Sequence, residues 1–152
     1  MSPAMSSARM QPLQQLAEVR EDEAARRLID QQRVLGEREQ RLQELTRYLA
    51  EYEGLASAHN PRLLMNRQAF VERLREAVSM QARLVEQARS RCEVQRAEWL
   101  LQHREVSTLD QLAECYRRRE RRSEEQRGQR QLDEFALRRF LAGDGLAADL
   151  DP

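Results

Sequence analysis

The chain has 152 residues, of which 34% are charged and only 5% are aromatic, and its mean hydropathy is −0.85. This composition excludes a thick globular core, because too little large apolar surface is available to bury, and it favours long amphipathic helices. The 26 basic residues balance the 26 acidic ones, so no net field draws the whole molecule to nucleic acid or to anionic lipid.

The first predicted helix covers residues 12–53 and follows a flexible N-terminus of residues 1–11. Pro12 suits the first position of a helix, where its missing N–H is not needed. Apolar residues then recur at heptad spacing, which predicts a coiled-coil seam. The seam consists of Leu28, Leu35, Leu42 and Leu49, with Leu45 and Tyr52 at the alternate positions.

Helix-breaking signals meet in residues 54–61. Gly54 fits the position after a helix end, where the backbone turns left-handed, and Asn60-Pro61 fits an N-cap followed by a first helical residue. Because a short helix-to-helix connection favours antiparallel neighbours, we predict the tip of an α-helical hairpin here. The alternative is one continuous helix with a proline kink.

The second predicted helix covers residues 61–141. Its apolar residues continue at steps of four and three, and the pattern then moves by one position, which predicts a local change of supercoil. Gly143-Asp144-Gly145 predicts the helix end, before a disordered acidic tail over residues 142–152. The predicted seam is Phe70, Leu74, Ala77, Gln81, Leu84 and Ala88, followed by Cys92, Trp99, Val106, Leu109, Leu112 and Tyr116.

These elements predict an all-α fold, an antiparallel two-helix coiled-coil hairpin with a longer second helix. At 1.5 Å per residue the helices would be roughly 60 Å and 120 Å long. The second helix would therefore outrun the first near residue 103, or later if the N-terminal residues are helical. The polar residues 117–130 would then have no partner helix within the chain, and they form either a frayed helix or a surface for another protein.

The sequence contains no constellation for catalysis or for a metal or cofactor. His59 and His103 have no Cys or His neighbour at ligand spacing, and the carboxylates are spread over helix surfaces. The glycines near the C-terminus lack the pattern of a phosphate-binding loop, and a two-helix hairpin offers no enclosed cavity. We therefore predict a protein that is not an enzyme and that binds no cofactor and no metal.

The expected compartment is the cytoplasm. Cys92 and Cys115 would lie about 35 Å apart along one helix, too far for a mutual disulfide, which indicates a reducing environment. The N-terminus lacks the apolar segment of a signal peptide, and no stretch has the length of apolar sequence that a membrane span needs.

The strongest local charge feature is the arginine cluster of residues 117–122. Five guanidinium groups within two helical turns would attract phosphates or an acidic partner. The same residues also fit a solvated helix face, with Glu114 reaching Arg118 and Arg121 reaching Glu125. Nucleic acid is the less favoured partner, because no aromatic residues lie between the arginines to stack on bases.

The tip carries more apolar surface than one facing helix can cover. Phe70, Leu74 and Ala77 would ordinarily belong to the coiled-coil core. Residues 63–65, which are Leu, Leu and Met, precede them directly. An exposed share of this surface would mark a protein-binding site.

Three sequence clusters, taken in order, resemble the flagellar FliJ family. They are LTRYLAEY at residues 45–52, NRQAFVERLREA at residues 66–77 and QLDEFA at residues 131–136. The resemblance covers about residues 10–140, nearly the whole helical region. It implies a component of the bacterial flagellar type III export apparatus, folded like the central stalk of rotary ATPases.

The resemblance also implies the partners. They are the ring of the export ATPase, whose assembly the family promotes, the cytoplasmic part of the export gate, and substrate chaperones. The chain would then reach the membrane only through these partners. The family's gate-binding positions fall on Phe70, Leu74 and Ala77. We assign ATPase contact to the opposite end, on Arg117, Arg118, Arg121 and Arg122. The alternatives are a nucleic-acid-binding arm using residues 117–122 and the equivalent stalk of an injectisome.

Overall fold

The computed structural model describes residues 6–54 and 61–149, with the side chains of residues 61, 63 and 144–149 left undescribed. These residues form two helices, α1 at Ser7–Gly54 and α2 at Pro61–Asp149. No strand occurs in the described ranges. The all-α class and the packing of two helices against each other are as predicted.

The chain divides into two compact units. One is Ala17–Glu105, and the other combines the described residues up to Leu16 with those from Val106 onward. In the first unit Glu53 pairs with Arg75 and Glu39 with Arg89, so residue numbers fall along α1 as they rise along α2. Interhelical hydrogen bonds give the same antiparallel order in the second unit. They are Ser7 to Glu120 and Gln14 to Asp110.

The residues of α1 that face α2 keep the predicted heptad. Leu28, Leu35, Leu42, Leu45, Leu49 and Tyr52 are all partly buried. The pattern extends to the start of the helix through Met10, Ala17 and Ala24, which are 1%, 3% and 0% exposed. Alanine at positions 17 and 24 allows the backbones of the two helices to approach closely.

The seam of α2 contains most of the predicted residues but differs at Phe70, Ala77, Leu84 and Leu112, where the next residue in the chain takes the seam position. Val71 is 8% exposed whereas Phe70 is 42% exposed, and Ala113 is 1% exposed whereas Leu112 is 41% exposed. No change of supercoil is needed, since the buried and half-buried positions alternate by three and four along α2. They are Val71, Leu74, Val78, Gln81, Val85, Ala88, Cys92, Gln95, Trp99 and Gln102 in one unit, and Val106, Leu109, Ala113, Tyr116 and Glu120 in the other.

Helix α1 begins at Ser7, five residues before the predicted start, so Pro12 lies inside the helix. A proline there removes one backbone hydrogen bond. Burial of Met10 and the contact between Ser7 and Glu120 hold this first part of the helix in place. The prediction of a flexible segment over residues 1–11 is therefore wrong from Ser7 onward.

Helix α1 ends at Gly54 and α2 begins at Pro61, which are the two borders of the predicted break between the helices. Residues 55–60, with His59, lie outside the described residues. Gly54 is itself helical and has no positive φ, so the predicted left-handed turn at this residue is not observed.

Helix α2 continues past Gly143 to Asp149, so the predicted helix end and the disordered tail are wrong for residues 142–149. The two glycines of the predicted helix end, at positions 143 and 145, each cost a helix only about 1 kcal/mol relative to alanine and do not end it. Every residue of 121–143 except Gly128 is exposed. Five of these side chains are large and apolar, 58–66% exposed: Leu132, Phe135, Leu137, Phe140 and Leu141.

Over the described residues, neither helix carries a stretch that is long and apolar enough to cross a lipid bilayer.

The seam position can be tested with two neighbouring substitutions. Ala113→Asp places a charge at a buried position and should lower the free energy of unfolding by about 3 kcal/mol. Leu112→Asp acts on a side chain that is already 41% exposed and should cost less than about 1 kcal/mol. Thermal unfolding followed by circular dichroism at neutral pH measures both effects. Equal losses would contradict the observed seam.

Candidate protein-docking surfaces

The three residues predicted to bind the export gate lie together near the start of α2. Phe70 is 42% exposed, and Leu74 and Ala77 are partly buried. Leu74 occupies the seam, whereas Phe70 and Ala77 each precede a seam residue and therefore lie at its edge. We call these three residues the tip surface. Phe70 is the member with the most area available to another molecule.

The ring of Phe70 packs against the end of α1. Its centroid lies 4.7 Å from that of the Tyr52 ring, with an angle of 62° between the ring planes. This edge-to-face arrangement is a favourable geometry for two aromatic rings. Tyr52, predicted only as a seam residue, thus supports the exposed aromatic side chain of the tip surface.

Arg67 closes the C-terminus of α1. Its Nε donates to the carbonyl oxygen of Tyr52 at 3.0 Å, and its Nη2 donates to the same oxygen and to that of Glu53 at 3.3 Å. Carbonyls in the last turn of a helix have no partner within the helix, and a cation there complements the helix dipole. This arrangement removes the need for a left-handed turn at Gly54.

A second arginine adds an ion pair at the same end. Arg75 donates from Nε and Nη2 to one carboxylate oxygen of Glu53, at 3.1 and 2.8 Å. Both side chains are largely exposed, so this pair contributes at most about 1 kcal/mol. The sequence prediction missed Arg67. The only sequence signal for this role was the absence of a basic residue in the last turn of α1, because the terminal carbonyls then need a hydrogen-bond donor from another part of the chain.

The structure separates the four predicted arginines into two pairs. Arg117 and Arg121 both contact Glu114, each at 3.2 Å. Arg118 and Arg122 are exposed, and neither forms an ion pair with any described residue. The predicted pairs Glu114–Arg118 and Arg121–Glu125 do not form in this region. We call Arg117, Arg118, Arg121 and Arg122 the arginine surface.

Glu120, inside the arginine cluster, closes the N-terminus of α1. The backbone N–H of Ser7 donates to Oε1 at 2.9 Å, and the Ser7 hydroxyl donates to Oε2 at 2.6 Å. The first turn of α1 has no acidic residue of its own, and a carboxylate there complements the helix dipole. The hydrogen bonds from the Ser7 hydroxyl and amide, and to a lesser degree the charge of Arg117, lower the pKa of Glu120.

The remaining candidates for chemistry do not converge. His103 stacks on Trp99 with ring centroids 5.0 Å apart, and its Nδ1 lies 3.5 Å from Glu21. Cys92 and Cys115 are both free. Among the described residues no three His, Cys, Asp or Glu side chains are grouped as metal ligands would be.

The contact between Ser7 and Glu120 makes the stability of this unit depend on acidity. Because the folded-state pKa of Glu120 is lowered, the contact stabilises the folded state fully at pH values above the ordinary carboxyl pKa of 4.5. This stabilisation is lost as the pH falls through the lowered pKa. We expect Ser7→Ala to raise the pKa of Glu120 towards the ordinary value, as measured by an NMR titration of its side-chain carboxyl.

Ser6→Ala is the matched control for this titration. The Ser6 hydroxyl accepts a hydrogen bond from the backbone of Arg9, so its loss should leave the pKa of Glu120 unchanged. A Glu120 pKa that does not respond to Ser7→Ala would contradict the proposed capping contact.

A family model described as "Flagellar FliJ protein" matches residues 5–145, which include α1, all of α2 except its last four residues, the tip surface and the arginine surface. No curated protein and no solved structure matches the chain. The match covers nearly the whole chain, and the resemblance seen in the three sequence clusters is confirmed. The chain therefore belongs to the flagellar FliJ family and is a component of flagellar protein export.

Proposed function

We propose that this chain is a non-enzymatic, stalk-like coiled coil of the flagellar type III export apparatus. In this proposal it promotes assembly of the export ATPase ring and couples the ring to the export gate and to substrate chaperones. The observation that carries the proposal is the family match over residues 5–145, which covers α1 and nearly all of α2. The chain works in the cytoplasm and reaches the inner membrane at the flagellar base only through its partners.

The tip surface is the proposed contact with the cytoplasmic domain of the export gate. Aromatic side chains that project from a rigid base are typical of residues that dominate binding energy. Phe70 has this character, because Tyr52 supports its ring while 42% of its surface stays exposed. Leu74 lies in the seam and would act partly by holding α1, and Ala77 would allow close approach of the partner.

The arginine surface is the proposed contact with the ATPase. Arg118 and Arg122 are the members that supply unpaired positive charge, while Glu114 engages Arg117 and Arg121. The exposed apolar side chains of residues 132–141 follow on the same helix. A partner with acidic groups beside apolar pockets would match this combination of charge and apolar area.

The gate contact is tested by titrating the purified cytoplasmic domain of the gate with the full chain. Phe70→Ala should weaken binding at least tenfold, or about 1.4 kcal/mol, since it removes the exposed aromatic ring. Val94→Ala is the control, because Val94 is 61% exposed elsewhere on α2 and should leave the affinity unchanged.

Circular dichroism establishes that both variants remain helical. Equal affinities for Phe70→Ala and the wild type would reject the tip surface as the gate contact. Failure of the wild-type chain to bind would reject the gate as a partner.

The ATPase contact is tested by combining Arg118→Glu with Arg122→Glu. We expect this double charge reversal to weaken binding to the export ATPase at least tenfold and to reduce the salt dependence of the affinity, since charge attraction is screened by salt. The control combines Arg47→Glu with Arg83→Glu, which changes the net charge equally at two other exposed positions. Equal losses in both double variants would indicate a response to net charge alone and would reject the arginine surface.

A further inference from the structure

Two rows of apolar residues in α2 can face α1 near the tip. The row that lies in the seam, which we call the inner row, consists of Val71, Val78 and Val85. The residue directly before each of these valines is apolar as well, and these residues form the outer row. They are Phe70, Ala77 and Leu84. Each row keeps a spacing of three and four with the seam residues between its members, so either row fits a coiled coil.

The outer row already lies at the edge of the contact with α1. Ala77 and Leu84 are half-buried, and the ring of Phe70, although 42% exposed, lies 4.7 Å from that of the seam residue Tyr52. Adjacent residues on a helix point about 100° apart, so a rotation of this part of α2 by half that angle would exchange the two rows. The total side-chain volume of the two rows is similar, and cores tolerate such exchanges well.

Charged residues further along α2 confine this rotation to the tip half of the helix. After Ala88, the residues that precede the seam positions Cys92 and Trp99 are Arg91 and Glu98, and both are exposed. Only the observed seam is apolar there, so this section keeps its packing. With the outer row in the seam, two successive steps of four residues would meet at Ala88. Such an irregularity locally unwinds a coiled coil.

Helix α1 has a glycine at the same level. Glu39 pairs with Arg89 at 3.7 Å, so Gly36 lies beside the section of α2 around Ala88. Gly36 has no positive φ, and a Cβ added to it would meet no described atom within 4 Å. Neither a turn nor close packing therefore requires glycine here, although inside a helix it is less favourable than every residue except proline. A position that reduces the rigidity of α1 at this level is suited to a pivot.

The packing next to this pivot is incomplete. The side-chain oxygens of Gln31 and Gln95 are buried and have no hydrogen-bond partner among the residues that the structure describes. Both glutamines line a groove together with Ser90, Arg91 and Val94. Because buried polar groups are nearly always paired, these unpaired oxygens indicate a level of the seam at which a change of packing would break few favourable contacts. The interhelical ion pairs of arginine in this unit are largely exposed and do little to fix one packing.

We propose that residues 70–88 of α2 are a two-state element, which packs on α1 through either the inner or the outer row and rotates about a pivot at Gly36 and Ala88. The observed packing is the major state, and the second packing is a minor state of about 1–10%. In the second packing Phe70 enters the seam, so the rotation controls whether this side chain is available to any partner. The switch is a property of the hairpin alone, and its test needs no partner.

The switch is tested by fluorine NMR on the full chain labelled with para-fluorophenylalanine. The chain has three phenylalanines, and Phe135 and Phe140 lie outside the two-state element and serve as internal controls. We expect relaxation dispersion for Phe70 on the microsecond-to-millisecond timescale, which is the timescale of helix register shifts, and none for the controls. A Phe70 signal without exchange, or with exchange that depends on protein concentration, would overturn the proposal.

A double substitution reverses the preference between the rows without changing the composition. Ala77→Val combined with Val78→Ala moves the larger side chain from the inner to the outer row, so the cavity now falls on the inner row. We expect Phe70 to be buried in most molecules, and the difference between its fluorine shifts in light and heavy water to fall by roughly half or more. The control, Glu93→Val combined with Val94→Glu, exchanges two exposed residues and should leave this difference unchanged.

The pivot is tested with two matched glycines. A Cβ added to Gly36 or to Gly128 would meet no described atom within 4 Å, so alanine fits at both positions. Gly36→Ala should suppress the dispersion of Phe70, because it makes α1 more rigid at the level of the pivot. Gly128→Ala lies outside the two-state element and should leave the dispersion as in the wild type. Equal dispersion in the two variants would contradict the proposed pivot.

Three further outcomes are decisive. If circular dichroism shows that the double variant is helical and Phe70 stays as exposed as in the wild type, the second packing does not exist. If the minor-state fluorine shift of the wild type equals that of free para-fluorophenylalanine, the exchange is fraying of the helix start and the proposal is wrong. If the double variant loses its helicity, the wild-type dispersion and the response to Gly36→Ala decide for or against the switch.

Discussion

The exposed surfaces of this protein depend on which face of α2 packs against α1. In α2 the buried positions alternate by three and four and take small or β-branched residues such as Val71, Val85 and Ala113. Because side chains one position apart on a helix point about 100° apart, the larger residues directly before them are turned outward. The packing of the seam thus creates the tip surface, since it leaves Phe70 and Ala77 beside the contact between the helices.

Each end of α1 is capped by a side chain of α2. The first turn of α1 has no acidic residue and its last turn no basic residue, so its terminal backbone groups need partners from α2. Glu120 supplies the carboxylate at the N-terminus and Arg67 the guanidinium at the C-terminus, each with the charge sign that the helix dipole favours. Arg67 lies close to Phe70 of the tip surface, and Glu120 lies among the residues of the arginine surface. The two capping contacts therefore also support the local geometry of these surfaces.

The fold was predictable from the sequence because the leucines of α1 repeat at one clear heptad spacing and the helix-breaking residues are concentrated in residues 54–61. The seam of α2 was predictable only in part, because two overlapping apolar patterns, one through Phe70 and one through Val71, both satisfy the heptad. Only the partner helix decides between them. The start of α1 depends on long-range contacts of Met10 and Ser7, and the role of Arg67 depends on carbonyl groups 14 and 15 residues away in the chain. Local propensity contains neither kind of information.

The composition of the seam gives a physical reason for apolar residues outside it. Gln31, Gln95 and Gln102 each have a buried side-chain oxygen without a hydrogen-bond partner among the described protein atoms. Polar groups in a seam favour one register but lower its stability. A chain built for maximum stability as a two-helix hairpin would place Phe70, Met80 and Leu84 in the seam and the glutamines outside. The observed distribution leaves Phe70 and Met80 exposed, so that a partner bound to them would add stability through its affinity for the folded hairpin.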